Sequence, residues 1–283
     1  MQNYSSIKEI RDHDFRHIIA GAFFQMQKSC ISRLPEINLL VSGDVLYVDV
    51  YPVDTHHQLL LSAHERIGLL RQLGTEHYLA VSSTEWPEVL NELRKRNTCS
   101  QGIYKGPFFL SGLGEKGTDI SLLKNFLSLA FSDTGVFNWQ KHLGYYFPLR
   151  GKVVYGNKIG RTLGYPTLNI EPHDSRKLIP PMGVYTGLIK HNGQWFKTMI
   201  NIGIRPTLDL SKVTIEAHVF GFSKEIYGED ITLHFAGRIR DEMRFPSLDE
   251  LKKQLKIDQK DALLNLEKEN IKTSRDDEFL ILS

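Results

Sequence analysis

Two different patterns of apolar and polar positions divide the chain. Up to about residue 145, short apolar runs alternate with segments whose apolar residues recur at helical spacing. Strand–helix alternation of this kind is typical of a mostly parallel sheet covered by helices. Strands are predicted at 17–24, 38–51, 77–83 and within 102–112, and helices at 62–74, 85–97 and 121–131.

After about Phe147 the strands follow one another with only turns between them. Asn192-Gly193 separates two such strands, and this dipeptide is a strong signal for a tight hairpin. Consecutive short strands predict an antiparallel barrel or sandwich. Helices should then end the chain: Ser247 begins a capping box ahead of the first, and Asp258 is predicted to cap a second.

The change of pattern predicts two domains, 1–147 and 148–283. A chain of 283 residues also exceeds the size at which a single core stops growing, about 250 residues. The net charge of +2 gives no general argument for binding nucleic acid or membranes. Cys30 and Cys99 stand alone, which excludes a disulfide framework or a cysteine zinc site. With no signal-like or membrane-spanning apolar run, we expect a cytoplasmic protein.

The glycine-rich run at 151–169 is the first candidate for chemistry. Glycine allows a backbone to approach a ligand closely, and exposed backbone N–H groups beside cations suit a polyphosphate. Thr and Asn at the end of the run offer neutral oxygens that Mg²⁺ accepts beside phosphate. The run contains Gly151, Gly156, Lys158, Gly160, Arg161 and Gly164, followed by Pro166, Thr167, Leu168 and Asn169.

A second candidate lies on the predicted strand 213–220. Its two-residue period places Val213, Ile215, Ala217 and Val219 on one face, and Thr214, Glu216 and His218 on the other. The apolar face should enter the core. Glu216 would then be a carboxylate held rigidly on a strand, where a kinase-like reaction could use it as a base.

Five ordered motifs lie within 148–265: GKVVYGNKIGRTLGYPTLN, PMGVY, NIGIRPT, EAHVFGFSKEIYG and RIRDEMRFPSLDEL. Together they resemble the riboflavin kinase module of prokaryotic bifunctional FAD synthetases. The resemblance implies a six-stranded Greek-key barrel. It also implies transfer of the γ-phosphate of ATP to the ribityl 5′-hydroxyl of riboflavin, giving FMN, with Mg²⁺ as the metal.

The resemblance also implies roles for individual residues. Glu216 would be the base facing the ribityl hydroxyl, and Thr167 and Asn169 would ligate Mg²⁺. Arg240 and Phe245 would contact the flavin. The nucleotide would be bound by Gly156, Lys158, Gly160, Arg161, Gly164 and Pro166.

The N-terminal domain resembles the α/β, Rossmann-like nucleotidylyltransferase domain of the same synthetases, but departs from it in chemistry. The family pattern G-x-F-D-G-x-H-x-G-H stands here as GAFFQMQKSC, at 21–30. Without the histidines, imidazolium charge that would stabilise a pentavalent phosphate is missing. We therefore predict that the fold is retained and that FMN adenylyltransferase activity is lost.

Two alternatives remain open at the level of sequence. A bifunctional enzyme could have rebuilt its adenylyl site from other residues. The altered N-terminal domain could instead serve a regulatory role, binding flavin, protein or RNA, with the cationic stretch 91–97 as the one hint for nucleic acid. An exposed helix face explains that stretch equally well.

Overall fold

The computed structural model describes two compact units, formed by different parts of the chain. Described residues are 2–10, 17–21, 45–51, 61–72, 74–82, 84–95, 103–105, 145–157, 159–206, 211–274 and 280. The predicted helix 121–131, the stretch 22–30 and Lys158 lie outside them. The first unit comprises 1–124, 142–144 and 176–178, and the second comprises 125–141, 145–175 and 179–283.

The first unit contains a five-stranded sheet in which every described pairing is parallel, as the alternation of strands and helices predicts. The order is β1-β4-β3-β2-β5, so β2 is internal and is hydrogen-bonded to both β3 and β5. The elements are β1 (Gln2–Tyr4), β2 (His17–Gly21), β3 (Val45–Tyr51), α1 (Ala63–Gln72), β4 (His77–Ser82), α2 (Trp86–Lys95) and β5 (Ile103–Lys105), with a 3₁₀ turn at Ile7–Ile10.

Apolar side chains from the sheet and from α2 form the core of this unit. Leu46, Val48, Leu79 and Val81 are buried, and Leu93 packs on them from the helix. Two-residue spacing on β3 and β4 thus supplies the residues that cover each other. The unit also holds a buried ion pair, in which Lys177 Nζ lies 2.7 Å from Glu65 Oε2.

The second unit is a closed six-stranded barrel in which all pairings are antiparallel, which confirms the predicted barrel. Strand order is β10-β7-β6-β11-β8-β9. Asn192 and Gly193 both have positive φ, 50° and 76°, as the tight hairpin between β8 and β9 requires. The strands are β6 (Phe147–Val154), β7 (Leu168–Pro172), β8 (Gly183–His191), β9 (Gln194–Pro206), β10 (Ser211–Val219) and β11 (Asp230–Arg240).

The predicted division of β10 into two faces is correct, with one exception. Ile215, Ala217 and Val219 are buried in the barrel, whereas Val213, near the strand's beginning, is 48% exposed. Glu216 and His218 point to the outer face, and both are half-buried there. This partial burial distinguishes them from an ordinary solvated strand face.

One long helix follows the barrel, where two helices were predicted. A short helix, α3 (Ile159–Thr162), lies in the glycine-rich run, and α4 extends without a break from Leu248 to Glu269. Ser247 caps α4 as predicted, its hydroxyl accepting a hydrogen bond from the Glu250 N–H. The prediction that Asp258 caps a second helix is wrong, because Asp258 lies inside α4 and is fully buried.

Helix α4 covers part of the barrel's outer face. Val184 and Met199 on the strands are buried with Ala262 of the helix, and Leu251 and Leu255 pack against this cluster. The outer face therefore has its own apolar cluster, separate from the barrel interior. The candidate site lies at the edge of that cluster.

Candidate functional site

Three polar side chains form one row across neighbouring strands on the outer face. Glu216 of β10 is paired directly with Asn169 of β7 on one side and with Asn201 of β9 on the other. Directly paired residues in a sheet project to the same face with Cβ atoms about 5 Å apart. The predicted base and the predicted metal ligand Asn169 are therefore neighbours. Sequence reasoning missed Asn201, although it begins the NIGIRPT motif.

The turn before β7 adds Thr167 to this row. Its hydroxyl donates to Glu216 Oε2 at 3.3 Å. Gly156 lies against Asn169, because a Cβ built on Gly156 would be 2.2 Å from Asn169 Nδ2. Gly160 supports the turn in a similar way, since its Cβ would meet the Tyr165 carbonyl oxygen at 2.2 Å. Both glycines therefore allow close packing around the predicted metal ligands.

This set of donors fits Mg²⁺. Thr167, Asn169 and Glu216 offer a hydroxyl, an amide carbonyl and a carboxylate, all hard oxygen ligands of the kind that Mg²⁺ binds together with water and phosphate. No group of three or more His, Cys, Asp or Glu side chains among the described residues is arranged to hold a metal. A site with one carboxylate and neutral oxygens would need phosphate oxygens to complete it.

His218 holds the same turn from the next position on β10. Its Nδ1 lies 2.8 Å from the Pro166 carbonyl oxygen, and a carbonyl can only accept, so Nδ1 carries the proton. Tyr165 and Phe220 meet the ring edge-on. Burial lowers the pKa of His218, partly opposed by this hydrogen bond. The imidazole is therefore neutral near pH 7 and fixes Pro166 beside Thr167.

Arg240 reaches the outer face because β11 is irregular. Arg238 pairs with Tyr185 while Arg240 pairs with Val184, so two steps on β11 match one on β8. This bulge places the two arginines on opposite faces, whereas simple alternation would place them on one. Val184 is paired in turn with Asn201. Arg240 thus belongs to the same row as Glu216, three strands away.

A buried carboxylate on α4 orients Arg240. Its Nε and Nη2 donate to the two oxygens of Asp258, at 2.9 Å and 2.7 Å. Gln254 Nε2 donates to the same carboxylate at 2.8 Å. The guanidinium also lies 5.7 Å from the Phe245 ring centroid, a cation–π distance. The predicted flavin-contacting pair Arg240 and Phe245 is therefore in contact.

These groups surround a cavity of about 380 Å³ between the barrel's outer face and α4. Its walls combine apolar side chains from both α4 and the strands with the polar row of the outer face and Asp258. Glu216 and Thr167 lie at one part of the wall and Arg240 and Asp258 at another. Among its lining residues are Gly160, Leu163, Tyr165, Thr167, Val184, Met199, Asn201, Glu216, His218, Arg240, Glu242, Met243, Phe245, Leu251, Leu255 and Asp258.

A smaller cavity of about 270 Å³ shares Thr167 with the larger one. Pro166 and Tyr227 line it, and Tyr155 stacks on Tyr227 with ring centroids 4.1 Å apart. Arg161 also lines it, but its guanidinium donates to Glu225 at 2.8 Å. This cation is therefore already paired in the structure as it stands.

The remaining predicted nucleotide residues differ in position. Gly164 has φ +85° and forms a turn in which nothing lies within 4 Å of an added Cβ; it lines neither cavity. Gly156 packs on Asn169 without lining either cavity. Sequence reasoning missed Asp258 because it assigned that residue to a helix start. Its signal was helical spacing, since Leu251, Leu255 and Asp258 share one face of a continuous helix.

Comparison with known proteins relates the barrel to one family. The model of the riboflavin kinase family, Flavokinase, matches residues 143–266. The bifunctional riboflavin kinase/FMN adenylyltransferase of Haemophilus influenzae is 41% identical over 117 residues, 41% of this chain and 37% of that protein. The protein of the same description from Bacillus subtilis is 36% identical over 124 residues, 43% of this chain and 39% of that protein. The matched part thus spans less than two fifths of each relative.

A likeness over most of the chain comes from a solved structure. A protein from Streptococcus pneumoniae described as a macrolide-efflux protein superposes with a TM-score of 0.69, covering 93% of this chain and 98% of that one. The two sequences are 22% identical, so the likeness concerns the fold alone. In the described part of this chain, no helix is long and apolar enough to cross a membrane. Residues 143–266 are therefore similar to the riboflavin kinase family, and the curated relatives of this part are bifunctional riboflavin kinase/FMN adenylyltransferases.

Proposed function

We propose that this protein is a riboflavin kinase, which transfers the γ-phosphate of ATP to the ribityl 5′-hydroxyl of riboflavin and releases FMN and ADP. The observation that carries the proposal is the row formed by Asn169, Glu216 and Asn201, with Thr167 hydrogen-bonded to Glu216, beside the larger cavity. Phosphoryl transfer needs positioning and charge neutralisation more than covalent chemistry. This row would supply the positioning and the oxygen ligands for Mg²⁺, and the metal would neutralise the phosphate charge.

The larger cavity suits the flavin. It extends from Glu216 to Arg240, three strand steps apart, which is about 14 Å along the sheet at the usual strand spacing. A substrate with a planar ring system at one end and a reacting hydroxyl at the other matches that length. The apolar wall of Met199, Leu251 and Leu255 would cover the ring.

We assign the nucleotide to the smaller cavity. Thr167 lines both cavities, so a nucleotide there would meet the flavin at this residue. The phosphates would then lie beside Thr167 and Pro166, next to the reacting hydroxyl. Arg161 would have to leave Glu225 to reach them, and this ion pair is exposed to solvent and therefore weak. Lys158 stays a predicted phosphate ligand.

In the proposed reaction the oxygen of the ribityl hydroxyl attacks the γ-phosphorus of ATP, and Glu216 accepts the hydroxyl proton as ADP leaves. The Thr167 hydroxyl orients the carboxylate, Asn201 lies beside it in the row, and His218 holds the Pro166–Thr167 turn in place. Thr167 and Asn169 would hold Mg²⁺, which supplies charge neutralisation at the phosphate oxygens when bound.

The N-terminal unit we propose to be a Rossmann-like, nucleotidylyltransferase-type domain that has lost adenylyl transfer. From β2 the chain continues to β3, which is paired with one side of β2, whereas β5 is paired with the other side. The topological switch point of the sheet is therefore beside β2. Ligands of open parallel sheets bind at the carboxyl ends of strands at such a point. Gly21 ends β2, and the sequence that follows it, 22–30, contains no histidine or acidic residue.

One paired assay tests both proposals. The purified full chain is incubated with ATP and MgCl₂, and either riboflavin or FMN, and the flavins are separated chromatographically. We expect riboflavin to give FMN, and FMN to give no FAD. Absence of FMN in the first reaction would refute the kinase proposal. FAD with stoichiometric pyrophosphate in the second would refute loss of adenylyl transfer and establish the bifunctional alternative.

A further inference from the structure

We infer that Asp258, a residue of helix α4, is a positioning residue for riboflavin that acts through Arg240. The inference rests on the proposed function and adds a residue outside the strand and turn motifs. Asp258 is fully buried, although it is a carboxylate in the middle of a helix. A buried carboxylate is stable only when it is paired and hydrogen-bonded, so the residues that bind Asp258 indicate what it does in the site.

Arg240 and Asp258 form a bidentate pair that uses only one edge of the guanidinium group. Arg240 has five N–H donors, of which Nε and one on Nη2 bind Asp258, and one on Nη1 binds the Asp241 carbonyl oxygen at 2.7 Å. Gln254 donates to Asp258 as well, which fixes the carboxylate in its turn. With these bonds made, the guanidinium plane cannot rotate, and two N–H groups remain for a ligand in the cavity.

The position of Arg240 in the row identifies what those donors would meet. The ribityl hydroxyl would lie at Glu216, and Arg240 is three strand steps from it, beside Phe245 and the apolar wall. The end of the flavin there is the ring system, whose carbonyl oxygens and ring nitrogens accept hydrogen bonds. A planar, fixed guanidinium matches a planar acceptor edge in the way that it matches carboxylates.

Asp258 also cancels the charge of Arg240 where the substrate is neutral. An unpaired arginine in the cavity would attract anions in general, including free nucleotide. Paired, it offers directed N–H groups without net charge. The carboxylate therefore accounts for both the orientation of Arg240 and its selectivity for an uncharged ring.

The test compares riboflavin binding and turnover in the full chain. Riboflavin affinity is measured by quenching of flavin fluorescence, and the KM for riboflavin, the KM for ATP and kcat by FMN formation. We expect Asp258→Asn and Arg240→Gln each to raise the riboflavin Kd and KM about 10-fold or more, the scale on which substrate misplacement acts. The KM for ATP should stay within about two-fold of wild type, because Arg240 lines only the larger cavity.

Two further variants separate positioning from a purely structural role. Glu250→Gln is the matched control, a carboxylate-to-amide change on the same helix at an exposed pair with Lys253; it should leave every parameter near wild type. The double variant Asp258→Asn/Arg240→Gln should raise the riboflavin KM no further than Arg240→Gln alone, because both changes remove one interaction.

Asp258→Asn leaves the half-buried Arg240 without its carboxylate partner and could prevent folding. The double variant Asp258→Met/Arg240→Met removes both charges, a replacement that buried ion pairs often tolerate. Folded protein with about 10-fold weaker riboflavin binding supports the inference. Riboflavin affinity equal to wild type in any folded Asp258 variant overturns it. Wild-type protein that binds riboflavin without forming FMN overturns the kinase proposal alone, and wild-type protein that does neither overturns both.

Discussion

Gly156→Ala offers a sharp test of the proposed metal site, because the change acts on one side chain. Gly156 is not among the glycines with positive φ, so its backbone accommodates alanine. The added Cβ would lie 2.2 Å from Asn169 Nδ2 and 2.5 Å from its Oδ1. Carbon and nitrogen pack at about 3.5 Å, so the amide must move by about 1.3 Å.

A movement of that size removes Asn169 from any Mg²⁺ bound at Thr167. Magnesium binds oxygen at about 2.0–2.1 Å in a near-octahedral arrangement and tolerates little displacement. We expect kcat to fall about 10²-fold and the Mg²⁺ concentration for half-maximal rate to rise. Overpacking should cost about 1–3 kcal/mol of unfolding free energy, so the protein should still fold.

The assay is FMN formation over a range of MgCl₂ concentrations at saturating ATP and riboflavin, with urea unfolding of each variant. Gly237→Ala is the control, since its Cβ would meet the Thr186 methyl at 3.1 Å, away from both cavities. Asn169→Ala should lower kcat to a similar extent, and adding Gly156→Ala to it should change nothing further. An unchanged Mg²⁺ dependence in Gly156→Ala would refute the reasoning.

Three further predictions concern β10 and α4. Glu216→Gln should lower kcat about 10²-fold while riboflavin binding by fluorescence stays near wild type; unaltered kcat would remove Glu216 from the base role. Burial lowers the pKa of His218, so the unfolded chain binds more protons and the unfolding free energy should decrease as pH falls below about 6.5. In urea titrations at several pH values, the unfolding free energy of His218→Gln should decrease less with falling pH than that of the wild type. The same pH dependence in both proteins would contradict this. Ser247→Ala should cost about 1 kcal/mol in urea unfolding, whereas Ser247→Asp should cost little; equal losses would argue against capping.

The sequence by itself predicted most of the described strands and named the side chains proposed for the chemistry. Alternating apolar positions fixed the inner face of β10 and therefore the outward direction of Glu216 and His218. Asn192-Gly193 fixed a hairpin, and Ser247 fixed the start of α4, because these signals act over a few residues. The succession of short strands left a barrel and a sandwich open; the motif resemblance favoured the barrel and added the kinase proposal.

Only the tertiary structure decided which of these residues meet. Strand pairing set Asn201 beside Glu216, and a bulge in β11 turned Arg240 to their face while leaving Arg238 on the other. Neither follows from a single strand's period, because register and bulges depend on the neighbouring strands. Asp258 shows the same limit: locally it resembles a helix cap, yet it lies within a continuous helix, buried against Arg240 of the barrel. Local sequence signals identify the candidate side chains, whereas packing between distant segments determines which of them come into contact.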